Sequence, residues 1–380
     1  MKVLILVHSV HNVHNVHNAL AERKIMNDKD FAFLQEMVET PSPSGFEQPV
    51  QRIVRREMEG VADEIRTDVM GNVIARLRGP ADGLKVMLAG HCDEIGFMIR
   101  YIDENGFLYF APIGGVDAHL VPGQRVHIHT TNGPILGVVG KKPIHLMEQK
   151  DRETVVKLSS QFIDIGCADG DAAKKLVSVG DPVTFAVGLE RLQGDLVASR
   201  AFDDKMGAFI VTQVLKEVRR RGPIPVDLYG VTTVQEEIGL RGATTSTYGV
   251  DPAVGIAIDV GFATDFPGVE KKEIGEFKVG QGPIISRGAN INPALYELLL
   301  ATAREEQIPF QIMGAPRATG TDANAMQLSR GGVAAALLQV PLRYMHSPVE
   351  VLSLADLENT IKLLAGLMPR LAAAGSFIPN

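Results

Sequence analysis

Short apolar runs that alternate with helical patterns constrain the fold of this chain most strongly. Residues 84–90 (LKVMLAG), 226–233 (VDLYGVTT) and 253–260 (AVGIAIDV) are rich in aliphatic and β-branched side chains. Such continuous runs are typical of strands that are buried on both faces, as in parallel sheets. Between them, apolar residues recur at helical spacing, for example over residues 206–218. This alternation predicts an α/β fold, a largely parallel sheet flanked by helices.

The middle of the chain has a different texture. From about residue 96 to residue 197, short β-like runs are separated by turns that contain Gly, Pro, Asn and Asp. This pattern is typical of a small β-barrel or sandwich. We therefore expect a β-rich domain at residues 96–197, inserted into a main α/β domain that is formed by residues 26–95 and 198–380.

The first 25 residues differ from the rest of the chain. A short apolar start, MKVLILV, is followed by a His-Asn-Val repeat, HSVHNVHNVHN. The apolar part is shorter than the core of about 7–15 residues that a secretory signal needs. A His-rich tract can bind metal, but this spacing without another type of ligand is a weak signal. We expect residues 1–25 to be a disordered leader, with the fold beginning near Met26.

Composition and charge disfavour several functional classes. The formal net charge is -7, whereas nucleic-acid binding favours a basic surface, so we expect no nucleic-acid partner. The apolar runs are shorter than the roughly 20 residues of a membrane span, so we expect no membrane partner. The chain has two cysteines, Cys92 and Cys167, which is too few for a disulfide framework and favours the reducing cytoplasm.

Side chains that can bind metal or carry protons recur near the ends of the apolar runs. They are His91, Asp93, Asp203, Glu236, Glu237, Asp259 and His346. Most of them follow an apolar run, whereas Asp203 precedes a helical pattern and His346 lies in a loop before Ser-Pro. In α/β sheets, ligands bind beyond the carboxyl ends of the strands. We therefore expect these side chains to converge on one crevice.

The adjacent carboxylates Glu236 and Glu237 can have two different roles at one site. Neighbouring residues on an extended segment point to opposite faces, so one glutamate could bind a metal while the other moves a proton. An isolated Glu-Glu pair is more often a solvated strand end, and only the other strand-end residues favour a functional role. His91 and Asp93 are two residues apart on a strand, so the carboxylate can orient the imidazole.

Two histidines and three carboxylates form a mixed nitrogen and oxygen ligand set that suits Zn²⁺, Co²⁺ or Mn²⁺. Five ligands exceed what one catalytic zinc ion usually takes from protein. A bridging carboxylate would let them serve two ions about 3.5–4 Å apart. Water between such ions is acidified towards a pKa of about 7 and can attack a polarised carbonyl. The remaining glutamate would act as the general base, worth roughly 10²–10⁴ in rate.

The motifs around these residues resemble those of the M42 family of dinuclear metalloaminopeptidases. In chain order they are PSPSGFE, GHCDEIGFM, SRAFDDKMGA, TTVQEEIGLRGA, AIDVGFATD, TGTDA and MHSPVE. The resemblance extends from about Met26 to the C-terminal helix. It implies a catalytic zinc-peptidase α/β domain, an inserted β-rich dimerisation domain, and homo-oligomers in which dimers assemble into a dodecamer. It also implies cleavage of N-terminal residues from short peptides by a metal-bound hydroxide, with two Zn²⁺ or Co²⁺ ions per subunit.

The resemblance further implies a role for each site residue. The two metal positions correspond to His91, Asp203 and Asp259 for one ion, and to Asp203, Glu237 and His346 for the other. Asp203 would thus be the shared, bridging carboxylate. Glu236 corresponds to the general base, and Asp93 corresponds to the carboxylate that orients His91.

Three alternatives stay open from the sequence. A metal-dependent deacylase or carboxypeptidase-type amidohydrolase would need a cation for the substrate carboxylate, and Arg241 or Arg317 could supply it. Some relatives carry endoglucanase labels, but an aromatic content of 6% and a two-metal ligand set disfavour sugar cleavage. A non-enzymatic metal-binding scaffold is the third alternative, and it would have no use for Glu236 as a base.

Overall fold

The computed structural model describes residues 25–379, so the leader expected over residues 1–25 lies almost wholly outside the described range. Met26 is buried in the main core, and the first helix begins at Asp28. Within residues 25–379, no helix has both the length and the apolar character that are needed to cross a membrane.

Helices and strands alternate in the two outer parts of the chain, and strands dominate the middle. The α-helices of the described residues are α1 (Asp28–Glu39), α2 (Gln48–Met58), α3 (Gln149–Arg152), α4 (Gly170–Lys174), α5 (Phe202–Arg221), α6 (Arg241–Val250), α7 (Lys271–Ile274), α8 (Pro293–Glu305), α9 (Asp322–Gln327) and α10 (Leu354–Ala373). The strands are β1 (Glu64–Thr67), β2 (Val73–Leu77), β3 (Lys85–His91), β4 (Gly96–Ile102), β5 (Leu108–Ile113), β6 (Arg125–Thr130), β7 (Gly133–Gly140), β8 (Phe162–Asp164), β9 (Pro182–Phe185), β10 (Glu190–Arg191), β11 (Leu196–Ser199), β12 (Asp227–Thr233), β13 (Val254–Phe262), β14 (Ile284–Gly288), β15 (Gln311–Ala315), β16 (Ala334–Leu342) and β17 (Glu350–Ser353).

The main sheet confirms the predicted α/β class. Its strand order within the described residues is β1-β2-β12-β3-β13-β16-β14-β15. The central strands β12, β3, β13 and β16 are parallel, and antiparallel pairings at β1, β2 and β14 make the whole sheet mixed. The central strands are almost fully buried because helices cover them. Their carboxyl ends therefore come together at one edge of the sheet.

Helix α5 packs against β3, β12 and β13. A Cβ atom on Gly90 of β3 would lie 2.4 Å from the carbonyl carbon of Gly207 in α5. Only glycine allows this approach, because any side chain would collide with the helix backbone. The contact sets the beginning of α5, which carries Asp203, beside the end of β3, which carries His91.

The predicted β-rich insertion contains a closed barrel with the strand order β4-β5-β8-β7-β6-β9. The barrel has its own core, in which the ring centroid of Phe97 lies 4.9 Å from that of Phe110 and 5.4 Å from that of Phe185. Its strands lie between Gly96 and Phe185. The loop after β5 brings Gly114 and Gly115 back to the edge of the main sheet, against Glu237 and His346.

A small antiparallel sheet, β10-β11-β17, joins the segment after the barrel to the segment before α10. Ser199 of β11 pairs with Glu350 of β17. The chain leaves β11 towards Asp203, and it enters β17 from the loop that carries His346. This sheet therefore aligns two segments that are far apart in the sequence and that both lead to the candidate site.

Candidate metal centre

The structure brings all seven sequence-predicted site residues to the carboxyl edge of the central strands. His91 is the last residue of β3, and Asp259 lies within β13, three residues before its end. Asp203 lies at the start of α5, where its ψ of 106° departs from helical geometry. His346 lies in the loop between β16 and β17.

The expectation that strand alternation separates Glu236 from Glu237 is wrong. Strand β12 ends at Thr233, so the pair lies in the loop beyond it. Gln235 has a left-handed φ of 55°, which turns the chain just before the pair. The side chains nevertheless face different histidines, because Glu236 lies near His91 and Glu237 lies near His346. The conformation of the loop, rather than strand alternation, separates the two carboxylates.

The first group of possible ligands consists of His91, Asp203 and Asp259. Their ligand atoms all lie within 4.8 Å of one another, and the three residues are buried. Nε2 of His91 lies 3.2 Å from Oδ1 of Asp203. Imidazole nitrogen and carboxylate oxygen at such separations form a donor set suited to a divalent ion such as Zn²⁺.

The second group consists of Asp203, Glu237 and His346, again with ligand atoms within 4.8 Å of one another. Nε2 of His346 lies 3.2 Å from Oδ2 of Asp203 and 3.5 Å from Oε1 of Glu237. The two oxygens of Asp203 therefore face two different imidazoles, one in each group. This arrangement fits a carboxylate that is shared by two ions.

Both imidazoles are oriented through their other ring nitrogen. Nδ1 of His91 lies 3.1 Å from the backbone carbonyl of Asp93 and 3.4 Å from the Asp93 carboxylate. Nδ1 of His346 lies 2.8 Å from the backbone carbonyl of Gly115. A carbonyl partner requires the proton on Nδ1, which leaves the Nε2 lone pair available to a metal.

The Asp93 carboxylate mainly holds the glutamate loop. Its Oδ1 accepts the backbone N–H of Glu236 at 3.0 Å, and its Oδ2 accepts that of Glu237 at 3.2 Å. The hydroxyl of Ser44 donates to the same Oδ2 at 2.7 Å. Asp93 therefore fixes both glutamates through their backbone, in addition to lying beside His91.

Burial raises the pKa of three carboxyl groups in the site, and neighbouring negative charges add to the effect. The pKa of Glu236 rises to about 10, that of Glu237 to about 9 and that of Asp259 to about 7. Carboxylates this close cannot all ionise without a compensating charge. Oε1 of Glu237 is also buried, and it has no hydrogen-bond partner among the described residues. A divalent cation would supply both the charge and the partner, so the residues fit a metal centre.

The pKa values of Asp203 and of the two histidines shift instead in the directions that favour their charged forms. Burial raises the pKa of Asp203, but the hydrogen bonds from His346 and His91 outweigh it and hold that pKa well below its usual range. Burial lowers the pKa of His91, yet the charge of Glu236 and the hydrogen bond with Asp203 raise it overall. The hydrogen bond to Asp203 likewise raises the pKa of His346. Protons on the imidazoles thus take the positions that metal ions would occupy.

Nearby buried cations are already paired. Arg200 and Lys205 both contact the carboxylate of Glu94, with Nζ of Lys205 at 2.7 Å. Lys205 also donates to the backbone carbonyl of Thr40. These cations therefore hold the ends of β3 and α1 together and are not free to balance the acidic site.

The site opens into a cavity of about 440 Å³. Its titratable lining residues are the five candidate ligands and the candidate base Glu236, and its apolar walls come from Leu240, Val260, Phe262 and Met345. Neither Arg241 nor Arg317 is among the described residues that line it. Within residues 25–379, the cavity lining thus offers no Arg or Lys side chain for a substrate carboxylate, which the deacylase and carboxypeptidase alternative requires.

Sequence reasoning missed several residues that support the site. Asp204 accepts the backbone N–H of His91 at 3.0 Å, and Glu350 accepts those of Asp203 and His346. Both lie inside motifs quoted above, Asp204 in SRAFDDKMGA and Glu350 in MHSPVE. The signal available was a further carboxylate near a candidate ligand, Asp204 directly after Asp203 and Glu350 four residues after His346. Gly115 acts through its backbone carbonyl and left no such signal.

Comparison with known proteins identifies the family of the chain. A family profile described as M42 glutamyl aminopeptidase matches residues 71–363. A lysyl aminopeptidase of Pyrococcus furiosus is 39% identical over 345 residues, which cover 90% of this chain and 97% of the relative. The solved structure of a TET aminopeptidase from a marine-sediment Thaumarchaeota archaeon matches with a TM-score of 0.87 and 35% identity, covering 90% of this chain and 97% of that one.

A second solved structure has the same fold. A peptidase from Pyrococcus horikoshii, described as assembling into a tetrahedron or a large octahedral shell, matches with a TM-score of 0.79 and 30% identity. The match covers 89% of this chain and 99% of that one. These comparisons confirm the resemblance that the motifs indicated. The chain belongs to the M42 family of aminopeptidases.

Proposed function

We propose that this aminopeptidase holds two divalent metal ions, Zn²⁺ or Co²⁺, and uses them to release N-terminal residues from short peptides. His91 and Asp259 would bind one ion, Glu237 and His346 would bind the other, and Asp203 would bridge them. The observation that carries the proposal is the position of Asp203, whose two oxygens face His91 and His346 at 3.2 Å each. A shared carboxylate between two ligand groups is typical of paired-metal hydrolases.

Metal ions in such a pair polarise the scissile carbonyl and lower the pKa of water. We propose Glu236 as the general base and Asp93 as the residue that positions it. The Glu236 side chain is about one-tenth exposed, and its Oε2 lies 3.7 Å from Nε2 of His91. It is therefore close to the ligands without being hydrogen-bonded to them. Oε2 would take a proton from the attacking water and return it to the leaving amine.

The proposed substrates are short peptides with a free N-terminal amine. The surplus of carboxylates suits a protonated amine, and a cavity of about 440 Å³ has room for one side chain and an adjoining segment of extended chain. Four apolar walls favour uncharged N-terminal residues. We propose no nucleic-acid or membrane partner, because neither the net charge of -7 nor the cavity suits one.

We also propose that residues 96–197 form a dimerisation domain and that dimers assemble into a dodecamer. The barrel exposes Leu136 and Val138 on β7, with side chains about half accessible, and exposed apolar residues favour an interface. The described assembly of the Pyrococcus horikoshii relative supports a homo-oligomer. Both cysteines are free, which supports our proposal of a cytoplasmic protein.

A panel of aminoacyl-coumarin substrates tests the function. We expect cleavage of free-amine substrates, loss of cleavage after chelation, and recovery with Zn²⁺ or Co²⁺. N-acetylated versions of the same substrates provide the matched control and should not be cleaved. Inactivity on both, with release of acetate from N-acetyl amino acids that carry a free carboxylate, would favour the deacylase alternative. Inactivity on both with hydrolysis of cellulose oligosaccharides would favour the endoglucanase alternative. A protein that binds metal without any hydrolysis would favour the scaffold.

A further inference from the structure

Glu350 is a buried carboxylate that belongs to neither candidate ligand group. It lies at the start of β17 and is 1% exposed. Its Oε2 accepts the backbone N–H of Asp203 at 3.1 Å, and its Oε1 accepts the backbone N–H of His346 at 3.0 Å. One side chain therefore ties together the backbones of two candidate ligands that are far apart in the sequence.

The two segments that Glu350 connects need such a constraint. Ala201, two residues before Asp203, has a φ of 60°, and His346 has a φ of 59°. Left-handed backbone is unfavourable for residues with a side chain and persists only where the surrounding structure holds it. The pairing of Ser199 with Glu350 aligns the two segments. The Glu350 carboxylate then fixes the two ligand residues beyond that pairing.

His346 depends on these contacts more than His91 does. His91 belongs to β3, and its backbone is part of the ladder with β12. His346 lies in a loop, and its side chain is about one-third exposed, against 2% for that of His91. Its ring is held by the Gly115 carbonyl and its backbone by Glu350. Loss of the Glu350 contact would leave this loop ligand held mainly through its ring, by the Gly115 carbonyl and by Asp203.

We propose that Glu350 is a positioning residue that sets the separation of Asp203 and His346, an inference that rests on the metal centre of the proposed function. Groups that orient metal ligands typically contribute 10–100-fold to metal affinity. Glutamine at this position keeps the size of the side chain but replaces one acceptor oxygen with an NH₂ donor. That donor faces the backbone N–H of either Asp203 or His346, so the backbone of one of these two candidate ligands loses its hydrogen bond.

Asp356 provides a matched control elsewhere in the chain. It is also a fully buried carboxylate that accepts two backbone N–H groups, those of Gly280 and Gly282, at 2.7 Å each. It contacts no candidate ligand and does not line the cavity of the site. Asp356→Asn should therefore reproduce the general cost of an amide replacement without disturbing the metal centre.

Metal titration separates the two variants. The full-length protein, Glu350→Gln and Asp356→Asn are stripped with a chelator and titrated with Co²⁺, followed by visible absorption and elemental analysis. We expect Glu350→Gln to need about 10–100-fold more Co²⁺ than the parent to fill the position formed by Asp203, Glu237 and His346. We expect Asp356→Asn to match the parent. Equal affinity in Glu350→Gln, or an equal loss in Asp356→Asn, would overturn the positioning role. A parent protein that binds no Co²⁺ would instead overturn the proposed function.

A second variant covers the case in which Glu350→Gln does not fold without metal. Glu350→Asp keeps the charge, but its shorter side chain cannot reach both backbone N–H groups. Saturating Co²⁺ should raise the unfolding temperature of Glu350→Asp less than that of the parent and of Asp356→Asn, because the ion binds less tightly. A rise as large as that of the parent would overturn the inference.

Discussion

Replacing Glu236 with glutamine should abolish most of the activity while leaving metal binding intact. Glutamine has the same shape, and the Asp93 carboxylate would still hold the backbone N–H of residue 236. Only the proton acceptor at Oε2 is lost. General-base catalysis is worth roughly 10²–10⁴ in rate, so kcat should fall by that factor, which corresponds to about 2.7–5.4 kcal/mol.

The electrostatics of the site explain why Glu236 can act near neutral pH. Burial, with the charges of Asp259 and Asp322, raises its pKa to about 10 in the metal-free protein. Bound metal ions would lower that pKa towards neutrality, because nearby positive charge favours the ionised carboxylate. Activity should rise with pH as Glu236 ionises, and this rise should be missing in Glu236→Gln.

The assay combines steady-state cleavage of a leucyl-coumarin substrate with elemental analysis of the same sample. Glu237→Gln is the matched control, because it makes the same chemical change one residue away but removes a proposed ligand. We expect Glu236→Gln to keep two ions and lose activity, and Glu237→Gln to lose at least one ion. A Glu236→Gln variant with more than one-tenth of the parent kcat, or with lost metal, would refute the division of roles.

Three further outcomes follow from the structure. Asp203→Ala should lose both ions, because its two oxygens face both histidines; full occupancy by elemental analysis would contradict the bridge. Metal affinity should rise at least about 100-fold from pH 6 to pH 8, because Glu237, with a pKa of about 9, must release a proton to bind an ion; an affinity that is independent of pH would contradict this reasoning. Phe97→Ala should cost about 3–5 kcal/mol of stability in denaturant unfolding, because its ring fills the barrel core; a cost below about 1 kcal/mol would contradict that role.

The sequence predicted the central strands well because strands that are buried on both faces consist of continuous apolar runs. Residues 84–90 and 226–233 contain most of β3 and β12, and His91 ends its strand as expected. The mixed edges of the sheet were not predicted. Pairing between strands such as β14 and β16 depends on tertiary contacts, and it has no local signature in the sequence.

The residues of the site were easier to predict than the contacts that position them. Carboxylates and imidazoles near strand ends have a recognisable pattern. In contrast, the left-handed turn at Gln235 and the approach of Gly115 to His346 depend on backbone conformation. Glu350 is part of the motif MHSPVE, but its role in positioning Asp203 and His346 becomes apparent only from the pairing of β11 with β17. Long-range backbone contacts of this kind are not encoded at any fixed spacing.

The most direct test of the account is anomalous diffraction from a crystal of the zinc-loaded protein at the zinc absorption edge. We expect two peaks per chain, one among His91, Asp203 and Asp259 and the other among Asp203, Glu237 and His346. The two peaks should lie about 3.5–4 Å apart with Asp203 between them. A single peak, or peaks that do not share Asp203, would contradict the proposed two-metal centre.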